Sequence, residues 1–297
     1  MTKEDIPVNS DLIYDVGMNQ GEDTEFYLAS GFRVLAIDAD PDLVKKARVR
    51  FASELASGKL TILNVGLSYE ASVEKFWICE PNSNWNSFER SLAARNGSAH
   101  HSVDVRTQRF EDILREFGIP IYLKIDIEGR DALCLDALQH TPLPKFISAE
   151  DDGGLDPSTG VPRVLAALHS LGYRYFNLVS QGDFRPLFRG NRGRYTPKLF
   201  DRIVNSAAYG RLRVPLLCKL AEPMTHKRAL ARHNGGRQFA YWSSGPWGKG
   251  ILGGWVAFDE ACRLDAQIRG QFLSTSGVNP SSFWCDWHAT TETPAGA

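Results

Sequence analysis

The chain has 297 residues, of which 43% are hydrophobic, and a formal net charge of −1. That length and apolar fraction fit a large globular domain, and the near-zero charge excludes global attraction to nucleic acid or to an anionic membrane. Residues 1–11 carry no leader pattern, no run approaches 18 apolar residues, and five scattered cysteines form no C-x-x-C, so a soluble cytoplasmic protein with reduced thiols is expected.

Residues 12–41 read as strand, glycine turn, helix and strand. Residues 12–16 are apolar and β-prone, Gly17 and Gly21 mark a tight turn, and 34–37 form a second buried strand. Glu22, Asp23 and Glu25 load the first helical turn with acid, which suits the positive end of the helix dipole, and Gly31 supplies a stop. A dinucleotide site wants G-x-G-x-x-G and keeps carboxylates from its pyrophosphate. Here the spacing is G-x-x-x-G around Asn19, with Asp15 two residues before the first glycine. A carboxylate there repels pyrophosphate and attracts an ammonium or sulfonium. Asp38 ends the second strand, where an acid grips ribose hydroxyls. Both acids suit S-adenosyl-L-methionine, a cationic nucleoside without phosphate; a plain βαβ unit with solvated acids is the alternative.

A helix over 43–55 ending near Gly58, then a strand over 60–65, completes β-α-β-α-β, which predicts a doubly wound, mostly parallel α/β sheet with ligands beyond its carboxyl ends. At that rim Asn64 and Ser68 either hydrogen-bond the adenine or simply make the turn. Residues 73–78 alternate, and the polar, aromatic segment 79–91, holding Trp85 and Ser87, is expected to lie over the site. His100 and His101 open another strand; as adjacent residues they face opposite ways, so at most one, taken as His101, meets the cleft. After a helix over 111–117, the fourth core strand is expected over 121–127. There Lys124, Asp126 and Glu128 alternate with apolar residues, placing three charges on one face. Such charges are costly to bury unless they pair or serve a ligand. The fifth strand, 145–149, delivers Glu150, Asp151 and Asp152 to the same rim. Asp126, Glu128 and Glu150 are the catalytic candidates. A metal-free carboxylate base is preferred; a structural Lys–carboxylate network, or Mg²⁺ on Asp126 and Glu150, are the alternatives.

A helix over 162–171 and a sixth strand over 173–179 close a cofactor-binding core of residues 1–180. Composition then shifts: residues 181–250 hold 14 Lys/Arg against 3 Asp/Glu, a balance of +11 that leaves −12 elsewhere. This basic insertion is expected on the acceptor side, drawing an anionic acceptor, with a solvated face or a homo-oligomer interface as alternatives. The last strand is expected within 237–250. Residues 251–297 supply the remaining core elements, including a helix capped by Asp259 and running to 268, and a tail that frays.

The motifs D-V-G-M-N-Q-G, L-A-I-D-A-D-P, L-K-I-D-I-E-G and S-S-G-P-W-G resemble those of FkbM-type S-adenosylmethionine-dependent methyltransferases, over roughly residues 12–150 and again near the end. The resemblance implies a class I methyltransferase fold with a seven-stranded sheet. It also implies methylation of a hydroxyl oxygen on a sugar, polyketide or related metabolite, so a small-molecule or glycan acceptor. It places Asp15, Gly17, Asn19 and Gly21 at the methionine end of the cofactor, Asp38 on the ribose, and Ser87 in a serine-rich stretch near the site. The family usually has E-P after the second strand, where this chain has Asp38-Ala39, and the basic insertion is not a general family feature. Amino-group methylation on nucleic acids resembles an Asp/Asn-Pro-Pro-aromatic turn; here the turn is Asp126-Ile127-Glu128-Gly129, which favours oxygen. A nicotinamide-dependent oxidoreductase and a binding protein with a vestigial cofactor site are the competing classes.

Overall fold

The computed structural model describes residues 6–188, 226–240, 243–273 and 283–294; most of the basic stretch, 189–225 and 241–242, lies outside the described residues. The strands are β1 (Val8–Val16), β2 (Arg33–Asp38), β3 (Leu60–Asn64), β4 (Gly66–Leu67), β5 (Val73–Cys79), β6 (His100–Gln108), β7 (Ile119–Ile125), β8 (Phe146–Glu150), β9 (Tyr175–Ser180), β10 (Val256–Ala257) and β11 (Cys285–Thr290). The helices are α1 (Glu22–Ala29), α2 (Pro41–Arg50), α3 (Ala52–Ala56), α4 (Arg90–Ala93), α5 (Phe110–Phe117), α6 (Asp131–Ala137), α7 (Arg163–Leu171), α8 (His226–His233) and α9 (Phe258–Leu273).

The main sheet runs β10-β9-β11-β8-β7-β1-β2-β3. From β8 through β7, β1 and β2 to β3 every pairing is parallel, and β11 slots antiparallel between β8 and β9. The number of long strands, seven, matches expectation, and two-residue β10 adds an eighth. A second, small sheet, β4-β6-β5, stands apart. Side-chain alternation sorts β1 between two cores. Leu12, Tyr14 and Val16 join Leu114, Leu135, Leu165 and Leu264 on one side, while Ile13 joins Tyr27 and Val44 on the other. Asp15 shares the face of Ile13, and its register partner on β7 is Lys124. Two charged side chains therefore lie abreast in mid-sheet, on the side that α1 covers.

Local chemistry sets the element ends near the site. Asp40 caps α2 by accepting from the amides of Asp42 and Leu43, with Pro41 at the first helical position. Gly172, at φ 111°, ends α7. Four expectations need correcting. The helix expected over 43–55 breaks at Phe51 into α2 and α3. β7 ends at Ile125, so Lys124 alone of the three charges lies in the strand; Asp126 still donates to Val16 O, and Glu128, at φ 46°, turns the chain away. Residues 237–240 and 243–250 contain no strand, only a 3-10 turn at Gly248–Gly250; the last strand is β11, in the expected tail. Asp259 sits in the first turn of α9 rather than capping it, and that helix runs on to Leu273. Among the described residues no helix is long and apolar enough to cross a membrane.

Candidate active site

The glycine turn after β1 is held from β2: Gly17 N and Met18 N both donate to Ile37 O. Gly17 has φ +85°, and a Cβ there would overlap the carbonyl oxygen of Asp126, so the close approach of β1 and β7 depends on its lacking a side chain. Asn19, itself at φ 49°, donates its amide to Asp38 Oδ2 at 2.7 Å, and Asp40 N donates to Oδ1 at 2.8 Å. Burial pushes the Asp38 carboxyl up to about 7 in spite of these two amides. Each oxygen of Asp38 keeps a lone pair for a hydroxyl donor. Asn64 Nδ2 donates to Asp38 O and Ala39 O, so that side chain braces the loop. Ser68 lines a cavity of about 270 Å³ with Tyr69, Gly129, Arg130, Ala132 and Leu133.

Asp15 does not meet the cleft, contrary to expectation. It is fully buried, accepts from Thr24 Oγ1 at 2.6 Å, and lies 3.1 Å from Lys124 Nζ. Lys124 donates to Gly17 O at 2.7 Å and also stands 3.7 Å from Asp126 and 3.9 Å from Asp23. Burial works against its charge, but Asp15, Asp126 and Asp23 outweigh burial and hold the ammonium well above its ordinary value. A protein lysine thus occupies the place beside Asp15 where the cofactor's cationic end was expected. Asp23 in turn accepts from Ser244 N with both oxygens, which pins the S-S-G-P-W-G segment to α1. Three residues further on, Trp247 stacks on Tyr122 at 4.6 Å.

Beyond β7 and β8 the acids converge. One oxygen each of Asp126, Glu128 and Glu150 lies within 4.8 Å of the others. Asp151 and Asp152 leave the rim: Asp151 pairs with Arg269 at 2.7 Å, and Asp152 with Arg163 at 2.8 Å. Burial first, and then Asp126, push Glu128 up to about 7, opposed by Arg95, which donates to Glu128 Oε2 at 2.7 Å. Burial and the neighbouring carboxylates also drive Glu150 well above the carboxylate range. Burial and Asp126 raise Asp131, which accepts from Ile127 N, to about 6.

The segment over the site docks as expected. Asn19 donates its side-chain amide to Asn84 Oδ1 and accepts from Ser83 Oγ at 2.9 Å. Ser87 Oγ donates to Glu128 O at 2.7 Å, so it fixes the turn that carries the acids. The Trp85 ring carries the Arg95 guanidinium 5.3 Å from its centre. His101 is exposed, with Nδ1 3.4 Å from Glu80. Sequence reasoning missed Asp23, Arg95 and above all Asp286. Asp286 is 6% exposed on β11, directly across the ladder from Glu150, and burial and Asp126 push its carboxyl well above the usual range. The signal available was an acid inside an otherwise apolar stretch, W-C-D-W.

The glycine turn after β1, the buried acid that ends β2 and the carboxylate rim at the ends of β7 and β8 all lie along one edge of a doubly wound α/β sheet. The chain belongs to the methyltransferase FkbM domain family, whose model matches residues 15–175. It is 34% identical over 58 residues to the probable ribosomal RNA small subunit methyltransferase A of Methanospirillum hungatei JF-1, a match spanning 20% of this chain and 23% of that relative. Among solved structures it is similar to the precorrin-6y C5,15-methyltransferase of Geobacter metallireducens GS-15, at 10% identity and TM-score 0.31, over 61% of this chain and 75% of that one. It is likewise similar to the 23S rRNA methyltransferase ErmE, at 13% identity and TM-score 0.31, over 88% and 91%.

Proposed function

We propose that this protein transfers the methyl group of S-adenosyl-L-methionine to a hydroxyl oxygen of a small-molecule or glycan acceptor. The observation that carries the reading is the meeting of Asp126, Glu128 and Glu150 at the ends of β7 and β8. The same sheet edge carries the glycine turn and Asp38. When bound, the cofactor supplies a methyl carbon made electrophilic by its sulfonium. Asp38 accepts the ribose hydroxyls through its spare lone pairs, while Gly17 and Gly21 let the turn pack against the Asp126 carbonyl and the Phe51 ring, where a Cβ would clash. Asp15 acts indirectly, by holding Lys124 against Gly17 O, so that the turn keeps its shape. The chemistry needs the acceptor oxygen about 3 Å from the methyl carbon, in line with the breaking bond, and a base for its proton. Asp126 is that base: its side chain is 43% exposed, whereas Glu150 and Asp286 are held in the protonated direction by burial and then by the Asp126 charge.

The acceptor, or the group carrying it, is anionic on this reading, because residues 181–250 hold 14 basic side chains. Titration calorimetry with S-adenosyl-L-methionine, NAD and a short RNA separates the classes. The expected result is binding of the first alone, followed by transfer of labelled methyl to a component of a metabolite extract. Binding of NAD, or of RNA with no methyl donor bound, overturns the reading, as does turnover in Asp126→Asn within about tenfold of wild type, since a lost acid–base group costs about 10²-fold.

A further inference from the structure

We propose that the carboxylates at the rim of β7, β8 and β11 bind one hard divalent cation, with Asp126, Glu128 and Glu150 as ligands and Asp286 beside them. The inference rests on the same rim as the catalytic reading but stands on its own observations. One oxygen from each of the three ligands lies within 4.8 Å of the others, a spacing that oxygens around a single ion share. A cluster of acids can also be held by protons, so the deciding feature is Asp286. It is 6% exposed, its strand partner in the ladder is Glu150, and among the described residues its carboxylate makes no hydrogen bond or ion pair. Side chains directly opposite in an antiparallel pair lie about 5 Å apart on one face, so Asp286 points at the rim.

The cations already present are committed elsewhere. Lys124 donates to Gly17 O at 2.7 Å, sits 3.1 Å from Asp15, and reaches no nearer than 3.7 Å to Asp126. Arg95 is spent on Glu128 at 2.7 Å. Glu150, too, has no hydrogen bond or ion pair among the described residues, so two carboxylates of the rim have no ion-pair partner, and Lys124 acts on Asp286 only from a distance. Buried carboxylates are costly without one. A divalent ion supplies two positive charges at the point where they meet. With oxygen donors alone, and neither His nor Cys in the set, the site suits hard ions such as Mg²⁺, Mn²⁺ or Ca²⁺. Such an ion would lower the pKa of an acceptor hydroxyl brought to the rim.

The test is Mn²⁺ titration of the EDTA-stripped full chain, with free Mn²⁺ read by electron paramagnetic resonance. Expected are about one Mn²⁺ per chain, displacement by Mg²⁺, and affinity at least tenfold weaker in Glu150→Gln and in Asp286→Asn. Asp126→Asn, whose side chain reaches solvent, serves as the variant least at risk of misfolding, and circular dichroism checks all three. Wild-type protein that binds S-adenosyl-L-methionine but no Mn²⁺ at millimolar concentration overturns the cation and leaves methyl transfer standing. Unchanged Mn²⁺ affinity in all three folded variants also overturns it. Mn²⁺ bound by wild type and lost in the variants, with no methyl donor bound at all, supports the cation and sinks methyl transfer.

Discussion

Asp38 and Lys124 are the two side chains on which the site turns. Replacing Asp38 by Ala removes the acceptor of two amides and, on the proposed function, of the ribose hydroxyls. Hydrogen bonds to a charged group are worth about 1.5–3 kcal/mol, so calorimetry should show affinity for S-adenosyl-L-methionine reduced at least tenfold; unchanged affinity refutes the ribose role. Lys124→Met leaves Asp15 and Asp23 buried without their cation, a change that costs about 3–5 kcal/mol when one partner of a buried pair is removed. Urea unfolding measures it, and Asp15→Asn added to Lys124→Met should restore part of the loss. Gly17, Asn19, Gly21 and Asp38 were legible in the sequence because a strand, its turn and the next strand are local, and spacing alone brings them together. The Asp15–Lys124 pair was not, since its partners stand on β1 and β7 and meet only through the register of the sheet.

At the level of elements, the glycine turn and the closing strand carry the most. Gly17 and Gly31 both adopt positive φ, but an added Cβ at Gly17 meets Asp126 backbone and at Gly31 meets nothing within 4 Å. Ala at Gly31 should therefore cost only the left-handed backbone, about 1 kcal/mol, and Ala at Gly17 about 3 kcal/mol, because two paired strands must part. Equal denaturant midpoints for the two variants would show that sterics at Gly17 do not matter. Trp287 on β11 is fully buried and packs at 5.7 Å on Phe188. Trp287→Ala is expected to cost about 3–5 kcal/mol by the same measurement. The parallel strands were legible as apolar runs. β11 was not, because C-D-W-H-A-T mixes an acid and a histidine with apolar residues, and what buries them is the position between β8 and β9 rather than any local pattern. The break between α2 and α3 and the early end of β7 were missed because apolar periodicity continues through both.

For the molecule as a whole, buried carboxyls tie stability to pH. Asp23 and Asp38 are raised to about 7, and Asp131 to about 6, in each case by burial first. The folded state therefore holds protons that the unfolded chain has lost above the ordinary carboxylate range. That contribution to stability is fully present below pH about 4 and disappears as pH rises through 6–7, so the melting midpoint should fall by several degrees between pH 5.5 and pH 8. Differential scanning fluorimetry across that range checks it, and a flat or rising midpoint contradicts it. The placing of β11 has a consequence for how the protein is made. The neighbours it joins are complete by Ser180, and the ribosome must add roughly a hundred further residues before Cys285 emerges. At about 5–20 residues per second, the growing chain spends about 5–20 s with two bare strand edges in the middle of its sheet. During that time the edges are open to other nascent chains, and a helper that shields them has its work at that step. Asp286 arrives with the same strand, so a polypeptide stalled before it has neither a closed sheet nor a finished acidic rim.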